Sequence, residues 1–396
     1  MVDLSNVVPT VLGMNTEQLQ QVGGLWTATE IMQQPNVWRD IVAEFKIQKP
    51  VFEQWLIPLL QLPDLRIILT GAGTSAYIGQ TLLPHLLKQL PLPGQRIEAI
   101  STTDLVSHPQ QWLHEEQPTL LVSYGRSGNS PESVAAVELL QQNVRRCFHL
   151  IITCNAQGQL AEFGHKRENA LVWQLPDACH DRSFAMTSSF TGMLLASLLL
   201  FAPDDHAMTT SFALSEQVLN NHQQIRALAH TPCHRIVFLG GGCLTGIARE
   251  AALKYLELTA GRILSYFESP LGFRHGPKSM VDEQTQILLL TGGNSYSQQY
   301  DNDLYQELLN NGRALSVQKF QLTDFNCEEA IPDVWIALPA IVYCQMLALF
   351  KALQLNVSPD NPCPSGEVNR VVQGVTIYPL THTAQDPVMG RAVGKR

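Results

Sequence analysis

Short apolar runs alternate along the chain with longer stretches that carry apolar residues at helical spacing. Four of these runs lie at residues 66–70 (RIILT), 119–123 (TLLVS), 149–154 (HLIITC) and 170–175 (ALVWQL). Strands that are apolar on both faces, with helices between them in sequence, are typical of a parallel sheet covered by helices on both sides. We therefore predict an α/β fold whose ligands bind at the carboxyl ends of the strands.

The sequence also resembles itself. RIILTGAGTSAYIG, which begins at Arg66, matches RIVFLGGGCLTGIA, which begins at Arg235, at an offset of 169 residues. At the same offset, the apolar run from Leu120 falls over the apolar run from Leu289, and each leads into a turn of Gly, Asn and Ser. We predict two copies of one domain, residues 46–214 and 215–380, between a helical N-terminal arm, residues 1–45, and a polar tail, residues 381–396.

Two turns rich in Gly and Ser follow the strands that end near Thr70 and Ser123. Backbone N–H groups and hydroxyls at the start of a helix can converge on an anion, and a guanidinium can add charge. Tight-turn packing or helix capping by Ser explains either turn taken alone, but two such turns on adjacent strand ends favour a phosphate site. The candidate phosphate-binding residues are Gly73, Thr74, Ser75, Ser123, Arg126, Ser127 and Ser130.

The two copies differ in the first of these turns. Leu244 stands at the position that matches Ser75, and the turn at residues 240–242 contains three Gly and no Ser. If Ser were needed only to make the turn, both copies should keep it, so we predict that the first copy binds phosphate. The turn lacks the Lys of a P-loop and the third Gly of a dinucleotide-binding turn, which favours a small phosphorylated ligand over a nucleotide.

Glu250, Lys254 and Glu257 lie at positions i, i+4 and i+7, so a helix would present them on one face. One interpretation is a solvated charged stripe. The other is a partly buried face, because the flanking residues AALKYLELTAG are otherwise apolar. Partial burial would raise the pKa of a carboxyl group there, as a general base near neutral pH requires.

His275 lies in a turn between Arg274 and the pair Gly276-Pro277. A His taken without context is more often structural or exposed, but the pKa of this side chain suits proton transfer to a ligand oxygen. Glu268 precedes it in the same loop and either assists or forms a salt bridge with Arg274. Of these two, we favour the salt bridge.

These residues resemble the sugar isomerase (SIS) domain, which occurs in tandem in the isomerase half of glucosamine-6-phosphate synthase. The resemblance covers about residues 46–380, and its most specific part is the stretch 248–282, a helix with Glu and Lys followed by a His-Gly-Pro turn. It implies two tandem SIS domains, each a three-layer αβα sandwich around a parallel sheet. The residues that would hold the sugar phosphate are Thr74, Ser75, Ser127 and Ser130, with Lys254 as a further substrate contact.

The same resemblance implies that Glu257 is the proton-transfer base and that His275 opens the sugar ring. In the synthase the His-Gly-Pro loop belongs to the neighbouring subunit's site, which implies a homodimer or higher homo-oligomer with the His275 loop crossing the interface. Gln373 stands where the synthase has a Lys that forms a Schiff base. Residue 2 is Val, so we do not expect the glutaminase domain with its N-terminal Cys nucleophile.

Tandem proteins with Phe-Arg-His-Gly-Pro and no glutaminase resemble the AgaS family. The implied activity is a galactosamine-6-phosphate deaminase/isomerase that forms tagatose 6-phosphate and ammonia. Two alternatives stay open: isomerisation of another phosphosugar without loss of ammonia, and a non-catalytic sugar-phosphate sensor. The sensor is disfavoured because Glu257 is present and residues 1–45 are not basic.

The amino-acid composition limits the classes of binding partner that we expect. Hydrophobic residues make up 45% of the chain and charged residues 15%, which supports a folded core and excludes disorder. The 26 Lys and Arg against 35 Asp and Glu give a net charge of -9, so neither nucleic acid nor a membrane is expected as a partner. We expect a small phosphorylated amino sugar instead.

The first fifteen residues contain no Lys or Arg, unlike a signal peptide, and the apolar run Met193–Ala202 is shorter than the roughly 20 residues of a membrane span. We therefore expect a cytoplasmic protein. Its eight Cys are scattered without a C-x-x-C pair, so we expect reduced thiols and no zinc. No metal and no organic cofactor are expected, because one carboxylate can carry the proton in an aldose to ketose conversion.

Overall fold

The computed structural model describes residues 10–89 and 92–380. The chain begins with a small hairpin and three helices. These elements are β1 (Thr10–Val11), β2 (Met14–Asn15), α1 (Thr16–Gln21), α2 (Leu25–Met32) and α3 (Gln34–Leu60).

A five-stranded parallel sheet follows, in the order β4-β3-β5-β6-β7. Its strands are β3 (Arg66–Thr70), β4 (Arg96–Ala99), β5 (Thr119–Gly125), β6 (Cys147–Thr153) and β7 (Ala170–Gln174). Its helices are α4 (Thr74–Leu86), α5 (Thr102–Ser107), α6 (Pro109–Trp112), α7 (Pro131–Asn143), α8 (Gln159–His165) and α9 (Ser188–Phe201), with a short 3-10 helix at Asp177–Cys179.

A four-stranded parallel sheet comes next, in the order β11-β10-β8-β9. Its strands are β8 (Arg235–Gly240), β9 (Leu264–Glu268), β10 (Thr285–Leu290) and β11 (Ser316–Phe320). The helices around it are α10 (Asp205–Asn220), α11 (His222–Ala229), α12 (Cys243–Leu258), α13 (Pro270–Phe273), α14 (Ser295–Asn311) and α15 (Asp333–Gln354), with 3-10 helices at Pro277–Met280 and Leu322–Phe325. The predicted α/β fold with parallel sheets is confirmed.

The two sheets have the same strand order, apart from the additional edge strand β7 in the first. In each sheet the first strand, β3 or β8, lies between the second and the third. The chain therefore leaves β3 and β5 in opposite directions, and such a switch point opens a crevice at the strand ends. The Ser-containing turns lie at this crevice in the first sheet.

The two sheets also share one apolar core. Their facing sides pack against α3, α4, α9, α10, α12 and α15 in a single buried cluster. The opposite side of the first sheet packs against α5, α7 and α8, and that of the second against α13 and α14. Both faces of each sheet are therefore covered, as the continuously apolar strands predicted.

The central contact of this core joins α4 to α12. Arg249 donates a hydrogen bond from Nη1 to Oε1 of Gln80 at 3.0 Å, and these two residues are related by the offset of 169. Because equivalent positions of the two copies meet each other, the copies face one another across α4 and α12. Helices α3 and α10 run without a break across the predicted boundaries at residues 45/46 and 214/215. The division at those residues stays a prediction.

One helix of the described residues, α15, has the length and mean hydropathy (1.8) of a membrane span. However, 89% of its apolar window is buried inside the protein, and a core helix passes the same test. The run Met193–Ala202, singled out in the sequence, belongs mostly to the shorter buried helix α9.

The closeness of α4 and α12 leads to the first prediction. A Cβ at Gly246 would lie 2.7 Å from the backbone nitrogen of Thr81 and 2.9 Å from its Cα. We expect Gly246→Ala to lower the free energy of unfolding by about 1–3 kcal/mol in denaturant titrations, because backbone atoms must move apart. Gly241→Ala is the control, since its Cβ would meet only Pro270 Cδ at 3.9 Å. Equal effects of the two changes would show that this helix contact is not tight.

Candidate active site

The candidate site begins at the carboxyl ends of β3 and β5. Thr70 and Ser123 are direct neighbours across these strands, and each has a buried hydroxyl without a hydrogen-bond partner in the described residues. Gly73 caps α4 with φ 54° and ψ −125°, a conformation that favours Gly. A Cβ at Gly73 would meet no atom within 4 Å, so the backbone conformation, not lack of space, requires the glycine.

The Ser hydroxyls of the two turns make few hydrogen bonds to other groups of the described residues. Ser75 Oγ has Met186 Sδ as a partner at 3.9 Å, and Ser127 Oγ accepts from the N–H of Asn129 at 3.2 Å. Ser130 occupies the N-cap position of α7 but donates to Ser133 Oγ at 2.6 Å instead of capping the helix. Helix capping therefore does not account for Ser130, and these hydroxyls can turn to a ligand.

Arg126 joins the second turn to two other segments. Its Nη1 donates to the carbonyl of Phe184 at 3.0 Å, and its Nη2 donates to the carbonyl of Arg370 at 2.5 Å. Burial, and then the charge of Arg370, lower the pKa of Arg126 to about 10. Because that value lies well above neutral pH, Arg126 is charged and lends a positive potential to the turn.

Helix α12 carries a buried charged cluster. Lys254 forms an ion pair with Glu257 and lies 3.6 Å from a carboxylate oxygen of Glu250. The side chains of Glu250 and Lys254 are 0% and 1% exposed, whereas that of Glu257 is 24% exposed. The interpretation of these residues as a solvated stripe is therefore wrong, and the partly buried face is correct. Glu257 alone of the three is appreciably exposed, and its charge acts on Arg126 of the second turn.

The pKa shifts of Glu250 and Lys254 indicate which groups of this cluster are charged near neutral pH. Burial, opposed by Lys254 and then reinforced by Glu257, raises the pKa of Glu250 to about 8, although the hydroxyl of Thr74 acts in the opposite direction. Burial lowers the pKa of Lys254, but the two carboxylates outweigh it and the pKa is raised. Near neutral pH, Lys254 is an ammonium that faces Glu257 beside a largely protonated Glu250. Neither carboxylate oxygen of Glu250 has a hydrogen-bond partner among the described residues, but the influence of Thr74 on its pKa and the packing of α12 on α4 place this cluster from the second copy beside the first turn of the first copy.

The predicted salt bridge between Glu268 and Arg274 is wrong. Arg274 donates from Nε to Glu307 at 2.8 Å, and Lys278 pairs with the same carboxylate. Glu268 instead accepts from the backbone N–H of Ser269 at 2.7 Å and from its hydroxyl at 3.2 Å. The partner of Arg274 lies on α14, a contact that spacing within the loop could not reveal.

His275 lies on the exposed surface of the same loop. Its backbone N–H donates to the carbonyl of Gly272 at 2.9 Å. In the described part of the chain no hydrogen bond or ion pair joins its side chain to Glu257. Gln373 is also exposed, three residues beyond Arg370, which does reach the site.

The matching turns of the second copy hold a carboxylate of the chain itself. Gly242 has φ 55° and ψ −124°, nearly identical to Gly73, whereas Leu244 is fully buried. The strand registers place Gly293 at the position of Ser127, and its N–H donates to Asp333 Oδ1 at 2.7 Å. The strand registers give an offset of 166 residues here, so the alignment of Leu120 with Leu289 at an offset of 169 is wrong by three residues.

Sequence reasoning missed three contributors to the site. Met186 contacts Ser75, and Arg370 donates from Nε to the carbonyl of Ser183 at 3.2 Å. Glu30, on α2, accepts from the hydroxyl and N–H of Ser183. None of these residues belongs to a motif, and they come from distant parts of the chain.

Across residues 10–89 and 92–380, no group of three or more His, Cys, Asp and Glu is arranged to hold a metal ion. The eight Cys are free thiols, and most of them are buried.

Similarity to known proteins extends over nearly the whole chain. No family model matches it. D-galactosamine-6-phosphate deaminase AgaS of Shewanella sp. (strain ANA-3) is 55% identical over 368 residues, 93% of this chain and 95% of that protein. The protein of the same name from Escherichia coli is 42% identical over 376 residues, 90% of this chain and 96% of its own.

Among solved structures, tagatose-6-phosphate ketose/aldose isomerase from Escherichia coli matches with a TM-score of 0.83 and 39% identity, over 91% of this chain and 98% of that one. The sequence and structural relatives thus agree with the SIS fold. The chain belongs to the AgaS family of tandem SIS-domain proteins.

Proposed function

We propose that this protein converts galactosamine 6-phosphate to tagatose 6-phosphate and ammonia. The observation that carries the proposal is the meeting of two half-sites: the Ser-containing turns of the first copy and the Glu250, Lys254 and Glu257 face of α12. The names of the relatives support the choice of substrate.

The phosphate group would bind at the two turns. Thr74 and Ser75 open α4, where the positive end of the helix favours an anion, and Ser127 and Ser130 offer hydroxyls from the neighbouring turn. Arg126 adds a buried positive charge behind them. The acidic net charge of the chain is thereby reversed locally, which an anionic substrate requires.

Glu257 would act as the base. After the ring opens, its carboxylate takes the C2 proton of the amino aldose, the C2–H electrons form a C1–C2 double bond, and the aldehyde oxygen gains a proton from water. Return of the proton from Glu257 to C1, with loss of one N–H proton to the hydroxide left by that water, gives a C2 imine and a C1 alcohol. Water then adds to the imine, and ammonia leaves to form the ketose. Lys254 holds Glu257 in place for both transfers.

A second candidate is isomerisation without release of ammonia, which would use the same base on a 2-hydroxy aldose. The similarity to the Escherichia coli tagatose-6-phosphate ketose/aldose isomerase favours it. The two reactions share the C2 to C1 proton transfer and differ in whether nitrogen is lost, so an ammonia assay separates them.

We also propose that the active species is a homodimer. His275 is exposed, and Leu271, four residues before it, is a 47% exposed apolar side chain. A second subunit seated there would cover Leu271 and bring His275 to the ring oxygen of a substrate bound in the other chain.

The phosphate assignment predicts the effect of removing single hydroxyls. Ser75→Ala and Ser127→Ala should each lower kcat/KM for galactosamine 6-phosphate by about 10- to 100-fold, because each loses a hydrogen bond to a charged group. The control is Ser295→Ala, an exposed serine that opens the corresponding helix of the second copy. Leu244 is unsuitable as a control because it is fully buried. If Ser295→Ala weakens turnover as much as Ser75→Ala, the assignment to the first copy is wrong.

The base assignment predicts a separate phenotype. Glu257→Gln should lower ammonia release by about 10²- to 10⁴-fold and abolish exchange of the C2 proton with solvent deuterium, followed by NMR, because the amide cannot accept a proton. Binding of tagatose 6-phosphate, measured by calorimetry, should persist. Wild-type exchange in this variant would remove Glu257 from the role and make Glu250 the next candidate.

The dimer proposal predicts complementation between inactive variants. Mixed dimers of His275→Gln and Glu257→Gln chains should regain part of the wild-type activity, because one of the two sites then receives an intact residue from each chain. Subunit exchange is verified by native mass spectrometry with two differently sized tags. Exchanged dimers that stay inactive would mean that the two residues do not meet across an interface.

A further inference from the structure

Glu30, on α2 of the N-terminal arm, has its carboxylate among donors from a segment about 150 residues away. It accepts from the backbone N–H of Arg182 and from the N–H and hydroxyl of Ser183, the second of these at 3.2 Å. Its side chain is buried, at 5% exposure for the residue. A buried carboxylate with three converging donors fixes the backbone that supplies them.

The same segment is held at its other end by Asp181. That carboxylate accepts from the backbone N–H groups of Thr187, Ser188 and Ser189 at 2.8–3.0 Å, at the start of α9. Ser188 Oγ also donates to the carbonyl of Glu30 at 2.7 Å. Residues 181–187 are therefore a segment anchored at both ends by buried carboxylates.

The middle of this segment contacts the proposed phosphate-binding residues. The carbonyls of Ser183 and Phe184 accept from Nη1 of Arg126 at 3.4 and 3.0 Å. Met186 Sδ lies 3.9 Å from Ser75 Oγ. One short segment thus touches a residue from each of the two turns.

We propose that Glu30 is a positioning residue for phosphate recognition, which acts by fixing residues 181–187 against Arg126 and Ser75. The inference rests on the proposed function in so far as Arg126 and Ser75 face the phosphate. Glu30 makes no direct contact with either of them, so its influence travels through the backbone of residues 183–186.

The charges around Glu30 make its effect depend on pH. Asp181 and Arg370 face its carboxylate, whereas the guanidinium of Arg182 turns away to lie over the ring of Trp26 at 4.6 Å. Helix α15 also packs on α2, and its Gln345, which accepts from Gln34, is uncharged. Burial, and then the charge of Asp181, raise the pKa of Glu30 to about 7.

The test compares Glu30→Gln with Asp360→Asn. Asp360 is a matched control because it also accepts two backbone N–H groups and a hydroxyl, those of Trp26 and Thr27 at 2.7–3.2 Å, but at the far end of α2. Glu30→Gln should raise KM for galactosamine 6-phosphate and the Kd for inorganic phosphate by about 10-fold, with less than about a threefold change in kcat. Asp360→Asn should lower the Tm and leave KM, Kd and kcat unchanged.

The pH profile separates positioning from general destabilisation. In the wild type, Glu30 accepts its three donors fully above pH 7, and protonation below that value adds an O–H that opposes them. KM and the phosphate Kd should therefore rise as the pH falls below about 7, and Glu30→Gln should lose this part of the rise. Ionisation of the phosphate itself, near pH 6, is common to both proteins, so the difference between the profiles is the measurement.

Each outcome bears on one of the two proposals. Equal effects of Glu30→Gln and Asp360→Asn, or parallel pH profiles for wild type and Glu30→Gln, overturn the positioning role while wild-type turnover stays intact. A wild type that binds phosphate but does not turn over the amino sugar overturns the proposed function and leaves the comparison of Kd values valid. If Glu30→Gln does not fold, Ser183→Ala removes one of the three donors without altering the backbone, and an unchanged phosphate Kd in that variant counts against the proposal.

Discussion

The close approach of α4 and α12 is the constraint on which the site depends. Thr81 and Gly246 touch there with no room for a Cβ, and Gln80 and Arg249 meet at equivalent positions of the two copies. Each helix starts at the turn of its own sheet, so this packing carries the helix of one copy past the strand ends of the other. The base and the phosphate turns can therefore come from different copies of one chain.

The pairing of Lys254 with two acidic side chains explains why three ionisable groups on one buried helix face are tolerated. A lone buried ammonium would lose its proton, because burial alone lowers the pKa of Lys254. Two carboxylates reverse that direction, and the raised pKa of Glu250 leaves this second acid mostly neutral near pH 7. The ammonium is then balanced chiefly by Glu257, the one member that is appreciably exposed. The arrangement keeps a single anionic carboxylate at the position where a proton acceptor is required.

The sequence foretold the parts of this architecture that depend on local pattern. Continuous apolar runs predicted the parallel strands. The offset of 169 residues predicted that Gly73 and Gly242 are equivalent, and their backbone angles are nearly identical. It failed wherever a contact joins distant segments. Arg274 was assigned to Glu268 in its own loop, but its partner Glu307 lies on another helix. Met186, which contacts Ser75, and Glu30, which binds Ser183, belong to no motif, and only the folded chain brings them to these partners.

The corresponding turns of the two copies, at Ser127 and Gly293, differ in what binds their backbone N–H groups. A turn that points backbone N–H groups at the start of a helix is a site of positive potential, and an unpaired N–H in a partly buried position is costly. In the second copy, the carboxylate of Asp333 accepts a hydrogen bond from the N–H of Gly293, so an anion of the chain itself satisfies this group. In the first copy the corresponding residue is Ser127, whose hydrogen-bond partners among the described residues are the N–H of Asn129 and the side-chain amide of Asn155, and not a carboxylate. Because no carboxylate of the chain is among these contacts, the turn of the first copy is free to bind an anion from solution. Two copies of the same domain therefore provide one phosphate site.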